Sequence, residues 1–157
     1  MISIQINKKF ENELSNSFLE ETTKKILSYL EIESESDLSI LIETDSLLKK
    51  LNHTYRGINQ PTDVLSFDSD EINPETGFTS IGDIAISFPT AQKQAIEANH
   101  PVENEVILLL IHAILHLSGY DHSTKEEKQE MWAEQQAVLE HLDIKINRIS
   151  GDEEFHD

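Results

Sequence analysis

The segment from Val106 to Leu117 constrains this chain more than any other: a nearly apolar run of 12 residues with two histidines set into it. Such a run is too short to cross a bilayer, which takes about 20 residues, and it reads as a helix buried in a protein core. An imidazole inside such a helix needs a polar partner. His112 and His116 are four positions apart, so a helix points both from one face, with Cβ atoms about 6 Å apart. Gly119 can adopt the left-handed conformation that closes a helix, and the chain then turns back with His122. Three imidazoles meeting in this way form a cation cage with a fourth position open to water, the arrangement of a catalytic zinc site. The spacing therefore predicts one Zn²⁺ per chain, held by His112, His116 and His122. The same donors also suit Ni²⁺, Co²⁺ or Cu²⁺. The competing reading is a set of unconnected core and surface histidines.

The pattern His-x3-His-x5-His, with a glycine three residues after the second histidine, is also that of the metzincin proteases. Those enzymes place a glutamate directly after the first histidine, as general base. Here that position is Ala113, which moves no proton. The cage is zincin-like, and peptide hydrolysis by that mechanism is disfavoured.

Elsewhere the periodicity alternates between strands and helices. Ile2, Ile4 and Ile6 alternate as in a half-buried strand, and Phe10, Leu14, Phe18, Leu19, Ile26 and Leu30 follow at helical spacing. Leu38, Ile40 and Ile42 predict a second strand, and Asp45 a helix cap for a segment running to about Tyr55. Val64 to Phe67, and Ile84, Ile86 and Phe88, predict two more strands around an acidic loop from Asp68 to Ser80 that carries Asn73-Pro74 and Gly77. Helices follow over Pro89–Asn99, Pro101–Leu117 and Thr124 to about His141. Ser123 and Glu126 suggest a capping box for the last, and Met131, Trp132, Val138, Leu139 and Leu142 give it an apolar face. The expectation is one α+β domain over residues 1–150, a small mixed sheet packed with about five helices and the metal site on a central one. Residues 151–157 form an acidic tail expected to fray.

Charge narrows the function. With 12 Lys+Arg against 30 Asp+Glu, the chain of 157 residues carries a formal net charge of −18. Such a surface excludes a general cationic coat for nucleic-acid backbones, and neither DNA nor a membrane is expected as partner. Any RNA affinity must come from a local cationic focus. The chain has no cysteine, which removes thiolate and Cys-ligated chemistry and fits a reducing, cytoplasmic setting. Met1 to Asn7 lacks the basic-then-apolar layout of a signal peptide.

Several separate blocks give the chain a family resemblance. They are Leu51-Asn52 with Tyr55-Arg56 and Pro61-Thr62-Asp63-Val64-Leu65-Ser66-Phe67; Gly82-Asp83-Ile84; the histidine block through Gly119-Tyr120-Asp121-His122; and, more weakly, Met131, Gln135 and Leu139. Together they resemble the YbeY endoribonucleases, also known as ribosomal RNA maturation factors, over nearly the whole chain. One departure is Ala113, where that family usually has glycine; a single added methyl is compatible with the cage. The resemblance implies a zinc-dependent, single-strand-directed endoribonuclease that matures ribosomal RNA, especially the small-subunit 3′ end, and takes part in ribosome quality control. It also implies ribosomal RNA and the ribosome or ribosomal proteins as partners, the three histidines as ligands, and Arg56 in the substrate cleft.

Arg56 is the only basic residue between Lys50 and Lys93, and its guanidinium suits a phosphate clamp that stabilises transition-state charge. Asp63 and Asp83 are candidates for orienting ligands, positioning Arg56 or carrying a proton, or else are strand-end turn residues. Tyr120 and Asp121 flank the last ligand, Asp121 either as support or as a helix starter. His53, His100, His141 and His156 have no partner at ligand spacing and are expected at the surface. Two other function classes stay open: a ribosome-assembly or docking factor whose metal is structural, and a metalloprotease-like hydrolase.

Overall fold

Alternating isoleucines place Ile2–Ile6 in a strand, β1, whose side chains are alternately half-buried and exposed. A 3-10 turn at Lys8–Phe10 leads to α1 (Asn16–Tyr29), β2 (Ser36–Glu43), α2 (Asp45–Arg56), β3 (Val64–Asp68) and β4 (Thr79–Ser87). Three more helices follow among the described residues: α3 (Phe88–Ala98), α4 (Val102–Leu117) and α5 (Lys125–His141). This computed structural model describes residues 1–33, 35–69 and 71–146. The expected acidic tail and His156 lie outside the described residues.

The four strands form one sheet in the order β1-β2-β4-β3; β1, β2 and β4 are parallel, and β3 returns antiparallel to β4. The mixed sheet with five α-helices is the α+β architecture the sequence predicts. Period-two alternation divides the sheet into two faces. Leu38, Ile40, Ile42, Ile84 and Ile86 join the main core with α4, whereas Leu41, Leu65 and Ala85 pack on the other face against Leu48 and Leu51 of α2. Eleven of the sixteen residues of α4 are buried, including every one from Glu105 to Leu115. That is the burial expected of a helix apolar on all sides. No helix among the described residues is long and apolar enough to cross a membrane.

Local competition between neighbouring polar residues moved several boundaries. Phe10 and Leu14 are buried but precede α1, because Ser15 caps the helix by accepting the Phe18 N–H at 3.2 Å. Thr44, not Asp45, caps α2, and the Asp45 carboxylate accepts from the hydroxyls of Ser87 and Thr90 instead. Phe88 begins α3 rather than ending β4, since Ser87 Oγ accepts the Thr90 N–H. The capping box of α5 is formed one residue later than expected, by Thr124 and Glu127, while the Ser123 hydroxyl bonds Asp121. His100 is not at the surface. Its side chain is 3% exposed, with Nε2 2.8 Å from Oε1 of the fully buried Glu105, each satisfying the other at the start of α4.

Gly82 ties the sheet to the end of α4. It follows the bulge at which β2 and β4 shift register, and its φ is +150°. A Cβ there would collide with the Phe67 carbonyl and stand 3.0 Å from Leu117 Cδ2. Gly82→Ala is therefore expected to cost about 2–3 kcal/mol and lower Tm by roughly 4–12 °C in thermal unfolding. An unchanged Tm would show that the strand can move aside.

Candidate functional site

The histidine site is built where α4 ends. His112 lies in the buried body of the helix at 1% exposure, and His116 in its half-buried last turn. The helix closes by a Schellman arrangement: the Tyr120 N–H bonds the Leu115 carbonyl at 3.0 Å and the Gly119 N–H the His116 carbonyl at 3.1 Å. Gly119 carries φ +107° at this turn, the conformation the sequence required of it. The chain then reverses, and His122 comes to face the two helical rings. Ring centroids stand 5.4 Å apart for His112 and His122, 5.7 Å for His116 and His122, and 6.4 Å for His112 and His116.

Two features bear on whether these residues fit a metal ion. Nδ1 of His116 is buried and has no hydrogen-bond partner among the described residues. A buried polar atom left in this way is costly unless something coordinates it. Asp121 is the other. Its carboxylate accepts the His122 backbone N–H at 2.8 Å and the Ser123 hydroxyl at 3.0 Å. The backbone bond, then the Ser123 bond, with smaller help from the two imidazoles, holds its pKa below the ordinary aspartate value. The ligand atoms of His116, Asp121 and His122 lie within 4.8 Å of one another, a group that could hold a metal ion. His112 stands beside this group rather than in it. From the sequence Asp121 is either support or a helix starter, and its place among possible ligands emerges only from the turn geometry.

Gln135 was visible in the sequence only as part of a weak block. It projects from α5, is 1% exposed, and its Oε1 lies 2.9 Å from His112 Nδ1. A carbonyl oxygen only accepts, so Nδ1 is the donor in this contact and Gln135 sets the orientation of the ring. Partners of this kind are worth roughly 10–100-fold in metal affinity. Gln135→Leu is expected to weaken Zn²⁺ binding by that factor in a chelator-competition titration. Unchanged affinity would separate His112 from the metal.

The remaining candidates fall into two places. Arg56, at the end of α2, donates from Nη2 to the Ser66 carbonyl at 2.9 Å, with its guanidinium carbon 5.9 Å from the centre of the Phe67 ring. It lines a cavity of about 770 Å³ on the α2 face of the sheet, together with Asp83, Asp68, Tyr55 and Phe67; none of the three histidines lines it. Asp63 is elsewhere, fully buried at the start of β3. Its Oδ1 accepts the Val64 N–H at 2.8 Å and its Oδ2 the Gln94 amide at 3.2 Å, which fastens β3 to α3. The structure thus gathers the three histidines, groups Arg56 with Asp83, and sets Asp63 apart.

The cavity and the histidines nevertheless approach each other at one point of β4. Asp83 follows Gly82, which abuts Leu117, the residue after His116.

Comparison with known proteins supports a single assignment. The family described as Endoribonuclease YbeY matches residues 1–143. An Endoribonuclease YbeY from Persephonella marina is 42% identical over 152 residues, covering 96% of this chain and 99% of its own. Another from Dehalococcoides mccartyi is 35% identical over 153 residues, covering 90% and 89%. Among solved structures, TM1509 from Thermotoga maritima superposes with a TM-score of 0.55 at 26% identity, covering 91% of this chain and 92% of that one. On a family match spanning both the histidine turn and the Arg56 cavity, the chain belongs to the YbeY endoribonuclease family.

Proposed function

We propose that this protein is a zinc-dependent endoribonuclease that cuts single-stranded RNA, acting in the cytoplasm on ribosomal RNA, at the small-subunit 3′ end, and in ribosome quality control. The observation that carries the reading is the convergence of three imidazoles, with a buried His116 Nδ1 that has no hydrogen-bond partner among the described residues. His112, His116 and His122, whose rings face one another, are the residues that would hold the ion, and Asp121, grouped with His116 and His122, would offer a carboxylate oxygen to it. A bound Zn²⁺ would supply Lewis acidity toward a phosphoryl oxygen and make water acidic enough to react near neutral pH.

The other roles belong to the chain. Gln135 sets the orientation of the His112 ring. Arg56 has one edge of its guanidinium tethered to Ser66, which leaves further N–H donors to grip a phosphate and stabilise charge on it. Asp83, exposed in the same cavity, is placed to accept a hydrogen bond or a proton from the substrate strand. Asp63, with its carboxylate engaged by Val64 and Gln94, supports this machinery by holding β3 in place.

The net charge of −18 makes the isolated protein a weak and salt-sensitive binder of free RNA, so a ribosomal partner supplies much of the affinity. The test is cleavage of one RNA sequence as a single strand and as a duplex, by zinc-loaded and by chelated protein. The expected result is cutting of the single strand at least about tenfold faster than the duplex, loss on chelation and recovery on adding zinc back. Ribosome association that survives chelation, with no RNA cut under any condition, would favour the docking-factor reading instead.

A further inference from the structure

The Arg56 cavity contains more than a phosphate clamp requires. Tyr55 stands at its mouth with 67% of its surface exposed, an unusual position for an aromatic ring next to an apolar floor of Leu41, Leu51 and Ala85. Its centroid is 5.2 Å from that of Phe67 and the two planes are inclined by 58°, so Phe67 supports the ring from the side without stacking on its face. The wall adds two carboxylates, Asp68 and Asp83. Among the described residues neither has a hydrogen-bond partner, and Arg56 bonds the Ser66 carbonyl rather than either of them.

This combination selects a particular kind of ligand. Two carboxylates against one guanidinium repel a second phosphate from the interior and attract groups that donate hydrogen bonds. A flat apolar face bordered by acceptors suits a nucleobase, which stacks on an aromatic ring and presents N–H groups at its edge. The volume of about 770 Å³ lies within the range of small-ligand sites and accommodates a nucleotide. Guanine meets these acceptors best, because its N1–H and its 2-amino group lie side by side on one edge and match the two oxygens of a carboxylate. Uracil offers one N–H on that edge.

We propose that the cavity is a nucleobase subsite, which takes one base of the RNA strand, guanine in preference to uracil, stacked on Tyr55 with its edge hydrogens donated to Asp83 and Asp68. The inference rests on the ribonuclease reading and deepens it. A base held there anchors the strand beside Asp83, next to the point where Gly82 meets Leu117 at the end of α4.

The test is an NMR titration of the ¹⁵N-labelled full chain with GMP and with UMP, whose shared phosphate cancels. The expected result is a perturbation of the Tyr55, Phe67 and Asp83 amides, with GMP bound at least about fivefold tighter than UMP. Tyr55→Ala should weaken GMP binding about tenfold or more, and Tyr55→Phe should stay within about twofold of the parent, since the ring is retained. Asp83→Asn should remove most of the preference for GMP. Both positions are exposed, so neither variant endangers the fold. Equal binding of GMP and UMP, shifts confined to the histidine turn, or full affinity in Tyr55→Ala would each overturn the subsite. GMP bound at Tyr55 by a chain that cuts no RNA would instead overturn the nuclease reading and leave the subsite standing. Unchanged kcat and KM in Tyr55→Ala, in a chain that does cut RNA, would do the reverse.

Discussion

His116→Ala is expected to reduce RNA cleavage by more than about 10³-fold, because a direct ligand contributes more than the roughly 10–100-fold of an outer partner such as Gln135. The same substitution should be almost silent in the metal-free protein. The His116 Nδ1 there is buried with no hydrogen-bond partner among the described residues, so alanine removes an unsatisfied polar atom along with some packing. Thermal unfolding separates the two effects. Zinc should raise the Tm of the parent chain, by linkage of binding to folding, and the variant should lose that increment while keeping the chelated-state Tm within a few degrees. Loss of cleavage with the zinc-induced increment intact would mean that His116 acts on RNA directly. Unchanged cleavage would move the chemistry to another site.

Arg56→Ala is expected to lower cleavage by about 10²–10³-fold, the usual effect of removing one preorganised donor from a developing anion. Zinc affinity should not change, since Arg56 lines a cavity that none of the histidines lines. Lysine should restore only part of the rate: it brings the charge but not the planar fork that bonds Ser66 with one edge while leaving N–H groups for substrate. Single-turnover cleavage beside a zinc titration checks both halves. A rate within twofold of the parent would reduce Arg56 to a tether for β3.

The histidine turn was legible because its elements are local. An apolar run, a four-residue spacing and one glycine define the end of α4, and the Schellman closure at Gly119 turns the chain back toward the helix. Helix starts were legible only to within one or a few residues. At Thr44-Asp45 and Ser123-Thr124 two capping groups are adjacent, and the choice between them depends on distant partners such as Ser87 and Thr90 for Asp45. Contacts between elements were not legible at all. Gln135 is 23 residues from His112, and the two meet only because α5 packs against α4. Asp83 shares a cavity with Arg56 because β3 and β4 pair Phe67 opposite Asp83, a register set by long-range packing.

The two halves of the histidine site rest on supports of unequal firmness. His112 and His116 are carried by α4, which is buried from Glu105 to Leu115 and is expected to open only with the core, whereas Asp121 and His122 are carried by a turn bordered by exposed residues. Local opening therefore releases the turn long before the helix. An ion held across that junction works as a crosslink between a slow-exchanging element and a fast one, and its grip should be recorded as added hydrogen-exchange protection from Ser118 to Thr124. Were an ion bound there, ligand exchange would proceed from the turn side, with the helical pair as the fixed jaw.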